Sequence, residues 1–401
     1  MRSVSDSVIP RISRLEAWNL VALIVAQVVV GLVGLASTRY LAPADKGLFV
    51  SISLWALVVQ TVVGLSLPNA LLFYGVAGGR SRPSKSVLVL LGSVALLCGA
   101  ALARFLAGHA GASATLEVLV LALPFAMLAF ETSTYSALAE GRPFHLFRIT
   151  QAVLFGAAGL PILIRTHSVT LLTAALLASY LASVALASFP LGAVKGSARV
   201  ATLGLRDLLR WSLRGHAGLT LSLLATRMDM LFVTLFLSPF AAGQYTAAAA
   251  FPNLLAFSGT AAGLALARRT TANSEGGVPQ FARSAGYGLL IGTGVIALAL
   301  IVWRDTLVVG LFGHPYLPAA PILVPLALSL PLSTLASYEA QLLVAIGRPS
   351  KQTIGQGIAA LALAGGSAWG VMHGDVLVIA WSNVVAYLLS VAWQTIALER
   401  R

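Results

Sequence analysis

At 401 residues, 58% of them hydrophobic and only 10% charged, with a mean hydropathy of +0.90, the chain lacks the polar surface a soluble protein of its size presents to water. It reads as an integral membrane protein, and its net charge of +13, which in a soluble domain would suggest a nucleic-acid partner, is explained by topology instead. A single cysteine, Cys98, excludes an intrachain disulfide.

The opening MRSVSDSVIPRISRLEAW is basic, but the apolar run behind it is about 20 residues long, beyond the short core of a cleaved signal, so it reads as a retained first span. Runs of spanning length follow one another at about residues 17–38, 47–74, 86–103, 116–138, 146–164, 169–190, 211–237, 244–267, 286–303, 321–345, 353–372 and 376–398. Twelve helices are therefore expected. Of the 26 Lys and Arg, twenty fall at one set of span ends, five (Arg39, Lys46, Arg104, Arg165 and Arg304) at the other, and Arg227 lies inside a span. The rich side is the cytoplasmic one, which puts both termini there.

The longest connection, 191–210, reads as a basic interfacial segment, with Leu203, Leu205, Leu208 and Leu209 beside Arg199, Arg206 and Arg210. It divides the chain into an N-terminal bundle, 1–190, and a C-terminal bundle, 211–401. Internal repeats agree. AEGRP (Ala139 to Pro143) after span 4 returns as AIGRP (Ala345 to Pro349) after span 10, and LAPADKGLF (Leu41 to Phe49) after span 1 returns as LSPFAAGQY (Leu237 to Tyr245) after span 7. Each pair lies on one side of the membrane, so the fold class is all-α: two six-helix bundles in parallel orientation about an axis along the membrane normal, around a central cavity. Gly and Pro in these repeats read as helix ends and starts, while Pro68, Pro252 and Pro331 are expected kink positions.

The stretch Trp211 to Leu237 carries Arg227 and Asp229 near its middle. An ionisable group in hydrocarbon is costly and is expected to face protein or a watery cavity; two positions apart on a helix, the two do not face each other. An arginine there can neither lose its proton nor easily reach an interface about 15 Å away, so Arg227 is the expected substrate-binding residue. Glu131 and Glu339 sit in spans of corresponding position, 4 and 10, and, with Asp229, are candidates for ion coupling or cavity lining; protonation or a packing hydrogen bond would also account for them. Gln27, Gln60, Asn69, Gln151, Asn253, Gln341, Gln356 and Asn383 are further polar residues in or near spans. The six histidines show no metal-ligand spacing, and no nucleotide-binding loop occurs. No cofactor is expected.

TRYLAPADKGLF and GLSLPNALLFYGVA in spans 1 and 2, RMDMLFVTLFLSPFAAGQYTAAAAF in spans 7 and 8, and LLVAIGRPSKQ after span 10 resemble the oligosaccharide flippase (polysaccharide transporter) family of the multidrug/oligosaccharidyl-lipid/polysaccharide exporter superfamily. The resemblance implies a V-shaped pair of bundles moving a polyprenyl-diphosphate-linked sugar unit from the cytoplasmic to the periplasmic leaflet in cell-surface polysaccharide or lipopolysaccharide biosynthesis. The family's span 7 acid falls on Asp229. Lipid-linked oligosaccharide, membrane lipids and polysaccharide assembly proteins are the implied partners, with no nucleic acid. Twelve spans and one deep arginine set the chain apart from the fourteen-span peptidoglycan-precursor flippases. A cation-coupled drug exporter of the same fold is the first alternative, and a membrane polysaccharide polymerase or ligase the second.

Overall fold

The computed structural model describes residues 14–68, 70–71, 82–110, 113–140, 144–188, 202–272 and 278–399. Among them are twelve helices of 20 residues or more: α1 Arg14–Tyr40, α2 Pro43–Val63, α3 Lys85–Ala110, α4 Ala114–Ala139, α5 Phe144–Thr166, α6 Val169–Ser188, α7 Leu205–Phe236, α8 Pro239–Ala272, α9 Gln280–Val302, α10 Ala319–Ala345, α11 Pro349–Met372 and α12 Val376–Glu399. They follow the expected spans one for one. Ten are long and apolar enough to cross a membrane; α7 falls outside that group, and it is the helix that carries Arg227 and Asp229. A nine-residue helix, Arg304–Phe312, and a short turn of 3-10 helix lie between α9 and α10.

Packing repeats with the sequence. In the first half α4 lies against α2, α3 and α6, α1 against α5, and α5 against α6; adding six to every number gives the second half, where α10 lies against α8, α9 and α12, α7 against α11, and α11 against α12. Helix α10 is the most enclosed, with Tyr338 donating to the Ala282 carbonyl at 2.6 Å. The halves meet chiefly where α2 packs on α8, helices that the repeat itself pairs.

Pro43 and Pro239 each open a helix, where a missing N–H costs nothing. The glycines four residues on do not end helices, contrary to expectation. A β-carbon on Gly47 would overlap the Pro239 carbonyl, and one on Gly243 would overlap the Pro43 carbonyl. The two copies of the repeat thus interlock reciprocally, each glycine admitting the other helix's first turn. Tyr316 donates to the Leu41 carbonyl at 3.0 Å and Trp55 to Thr234 at 3.2 Å, closing the same side of the seam. Gly347 of the other repeat does end its helix. With φ of 76° it closes α10, its N–H bonding the Val344 carbonyl and that of Arg348 the Leu343 carbonyl.

Three further expectations are corrected. Span 2 is not continuous: α2 stops at Val63, Leu65 and Ser66 take left-handed φ of 45° and 54°, and helix resumes at Leu67, just before Pro68 rather than kinking at it. The leucines of the connection do not form a separate interfacial helix. Thr202–Leu203 pairs in parallel with Arg82–Pro83, and α7 already begins at Leu205, because Leu203 and Leu208 find a fully buried site against Leu67, Leu71, Val87 and Leu91 of the first half. Residues 189–201, including Arg199, lie outside the described residues. Lys46, counted at a span end, is buried, its ammonium donating to the Gly34 carbonyl at 2.9 Å and to Ser37 at 2.6 Å.

Candidate functional site

Helix α7 enters from the arginine-rich side and carries Arg227 about 15 Å from its far end, at 1.5 Å per residue. Asp229 is buried, 7% exposed. Its carboxylate accepts hydrogen bonds from the Tyr245 hydroxyl of α8 and, at 3.0 Å, from the Asn383 amide of α12, which also reaches the Tyr245 oxygen at 3.0 Å. Arg227 is half-buried and has no hydrogen bond or ion pair among the described residues. Both residues line a crevice of about 30 Å³ closed by Asn253, Ser329, Ser333 and Tyr387. That volume holds a water or two, or a single small cation, and excludes a diphosphate.

The other acids lie elsewhere. Glu131 on α4 is paired at 2.5 Å with Arg148 of α5, a residue assigned by sequence to a span end. The Arg148 guanidinium lies over the Phe130 ring at 5.5 Å and the Tyr135 ring at 6.0 Å. Glu339 on α10 accepts from Thr395 of α12 at 2.9 Å, its second oxygen is buried without a hydrogen-bond partner, and it lines neither cavity described here. The four candidates therefore do not form one site. The structure joins Arg227 with Asp229 and separates Glu131 and Glu339 from them and from each other.

Glu131 faces a cavity of about 270 Å³ between the halves, lined also by Gln60, Thr61, Tyr135, the break at Gly64 and Ser66, and Leu223 of α7. Backbone that leaves the helix at membrane depth is tolerated where it lines a cavity or is buried in protein, and two non-glycine residues with positive φ cost about 1–2 kcal/mol each. The break places the Ser66 hydroxyl 3.2 Å from His216 Nδ1 across the seam. On the opposite side α2 and α8 are in backbone contact at the reciprocal glycines.

Over 96% of its length the chain overlays on 88% of a solved structure of the lipid II flippase MurJ in an inward closed conformation, with a TM-score of 0.72 at 13% identity. It overlays on an inward-facing multidrug resistance MATE family transporter of the MOP superfamily with a TM-score of 0.67 at 17% identity, covering 95% of this chain and 98% of that one. The fold is that of MOP-superfamily transporters. A MOP superfamily transporter from Pyrococcus furiosus overlays with a TM-score of 0.58 at 16% identity, over 96% of both chains. No family model and no curated protein matches the sequence. At these identities the likeness is one of fold.

Sequence reasoning missed three functional candidates. Arg148 was hidden by its place one turn inside α5, and Lys46 by its place at a helix start. Tyr245 stands at the aromatic position of the repeat, where the first copy has Phe49; a hydroxyl present in one copy only was the available signal. Among the polar span residues Asn383 binds Asp229 and Gln151 donates to Ser179 at 3.2 Å, while Asn69 and the Gln27 side chain lie outside the described residues.

The Glu131–Arg148 pair is about four-fifths buried on both sides, so breaking it leaves an uncompensated charge. Arg148→Gln should lower stability in detergent by about 3 kcal/mol, and Glu131→Gln with Arg148→Gln together by less than either alone. Thermal melts of the three variants measure the coupling; additive losses would place the two charges outside one another's reach.

Proposed function

We propose that the chain is a flippase that carries polyprenyl-diphosphate-linked oligosaccharide across the bacterial cytoplasmic membrane by alternating access, with both termini in the cytoplasm and the repeat units 1–190 and 211–401 rocking about the seam. The observation that carries this reading is Arg227: a permanent cation at mid-span, beside Tyr387 but without a hydrogen bond or ion pair among the described residues, in a transporter fold. The guanidinium suits a substrate whose diphosphate or acidic sugar supplies an anion for a bidentate fork, which it meets in a state of the cycle where the crevice, too small for a diphosphate in this structure, has opened. The break in α2 and the cavity beside it support an entry from the arginine-rich, cytoplasmic side, and the interlocked glycines support a closed periplasmic side.

Asp229, with Tyr245 and Asn383, is assigned ion coupling, the crevice having room for a proton carrier or one small cation. Moving one charge through about 100 mV is worth about 2.3 kcal/mol, enough to bias the cycle. That same crevice favours a second reading, a cation-coupled exporter of organic cations, in which Asp229 does the coupling and Arg227 has no substrate role.

Proteoliposomes separate the two. With labelled lipid-linked sugar in one leaflet, the flippase reading expects the sugar to become accessible to a membrane-impermeant reagent on the other side only when the protein is present, and expects no accumulation of a cationic dye under an imposed gradient. Dye accumulation without sugar translocation would establish the exporter and end the flippase reading.

A further inference from the structure

A second, larger cavity lies outside the seam. It is a groove of about 490 Å³ between α3 and α4, closed at the back by Leu67 and apolar save for the hydroxyls of Ser93, Thr132 and Ser133. Its origin is local. A β-carbon on Gly99 would overlap the Leu121 carbonyl, so α3 and α4 touch backbone to backbone there, and the groove opens on the arginine-rich side of that crossing, from Leu96 down to Leu88, about 12 Å of helix. Val89 and Leu97 beside it are 68% and 70% exposed, so this face looks out to the bilayer.

Three features distinguish it from an ordinary lipid-facing furrow. It shares its wall with the cavity between the halves: α4 turns Ala129, Thr132 and Ser133 to the groove and Glu131 and Tyr135 to the cavity, and the break in α2 turns Leu67 one way and Ser66 and Pro68 the other. Its polarity is graded, with Thr132 and Ser133 at the end nearer the arginine-rich side and Phe125 and Leu96 toward mid-membrane. Thr132 is 5% exposed as a residue, and its hydroxyl, buried in the groove wall, has no hydrogen-bond partner, an orphan that costs about 1–3 kcal/mol until a turn about χ1 presents it to a ligand in the groove.

Resting on the flippase reading, we infer that this groove is the seat of the substrate's polyprenyl tail, with the Thr132 hydroxyl, once turned about χ1 into the groove, bonding the oxygen that joins tail to diphosphate while the head group enters the cavity past the α2 break. A lipid in the cytoplasmic leaflet has its polar end at the membrane surface and its chain toward the mid-plane, which is the gradient the groove presents. A volume of about 490 Å³ falls within the roughly 300–1,000 Å³ of sites that hold one small ligand. It accommodates the first part of one chain, and the rest of the tail stays in the bilayer. The tail thus remains outside the cavity while the charged head crosses, so the cavity need not admit it.

The test uses a long-chain polyprenyl diphosphate sugar as transported substrate, a short-chain soluble prenyl version of the same head group as competitor, and Ala129→Trp to fill the groove. The expected result is a rise of about tenfold in KM for the long-chain substrate, the effect of roughly two buried methylene groups lost, with the inhibition constant of the short-chain competitor unchanged. An unchanged KM overturns the tail seat and leaves the flippase reading standing. Equal loss toward both molecules also overturns it, because the variant then damages the cavity. A wild-type protein that moves no lipid-linked sugar ends the flippase reading and the tail seat with it. Independently of folding effects in the Trp variant, a benzophenone amino acid at Val89 in the otherwise native chain should photolabel the long-chain substrate in the presence of excess phospholipid; labelling of phospholipid alone overturns the proposal.

Discussion

Arg227→Ala should abolish sugar translocation while leaving the protein in the membrane at normal abundance. A cation near the centre of a spanning helix costs about 2.5–3.5 kcal/mol on insertion scales, so its removal makes α7 cheaper to insert. Arg227 has no ion pair among the described residues, so no carboxylate is orphaned by the change. The loss falls instead on substrate. Two hydrogen bonds from a guanidinium to an anion, at about 1.5–3 kcal/mol each, correspond to at least a hundredfold in binding. Arg227→Lys keeps the charge and gives up the planar fork, and should retain part of the rate. Both variants are measured in the leaflet-accessibility assay against the amount of protein reconstituted. Normal translocation by the Ala variant at normal abundance would remove Arg227 from the substrate path and leave the organic-cation exporter as the better reading.

The number and order of helices were legible because a spanning helix must be about 20 apolar residues long and because Lys and Arg alternate in density from end to end. The repeats LAPADKGLF and LSPFAAGQY also gave the symmetry, since matching motifs on one side force matching bundles. What the repeats meant locally was not legible. A glycine four residues after a helix-opening proline looks like a turn residue in one dimension, and only the crossing of α2 and α8 shows that its missing β-carbon makes room for the other helix's carbonyl. The break at Leu65 and Ser66 was signalled only by Gly64 and Pro68 on either side, because neither residue favours the left-handed backbone it adopts. Charged residues near span ends were the least legible. Arg148 and Lys46 have stems long enough to turn inward as readily as outward, and which way they turn depends on partners, Glu131 and the Gly34 carbonyl, supplied by other helices or an earlier turn of chain. The candidate site was half legible for the same reason. Asp229 and Asn383 could be named as polar residues in spans, but their meeting 154 positions apart is a product of the fold.

Gly47→Val and Gly243→Val should each stop transport by preventing closure of the side away from the arginine-rich face. Both glycines lie in the first turns of α2 and α8, where an added β-carbon meets backbone of the partner helix and no rotamer change relieves the overlap. Overpacking costs about 1–3 kcal/mol when side chains can adjust, and here the helices must separate. The two conformations of a transporter commonly differ by a few kcal/mol, so the variants should rest in the state opened at that seam, and a cysteine placed there should react with a membrane-impermeant maleimide many times faster than in the native background. A crosslink provides the converse. In a Cys98→Ser background, cysteines at Ala44 and Phe240, exposed residues on the two interlocking turns, should join in the closed state only and stop transport until reduced. On the proposed rocking motion these turns lie farthest from the hinge and move most, because the two-fold axis places them on either side of the cavity mouth. If pairs across these turns crosslink fully and the transport rate stays unchanged, the halves do not open there, and alternating access through this seam must be abandoned.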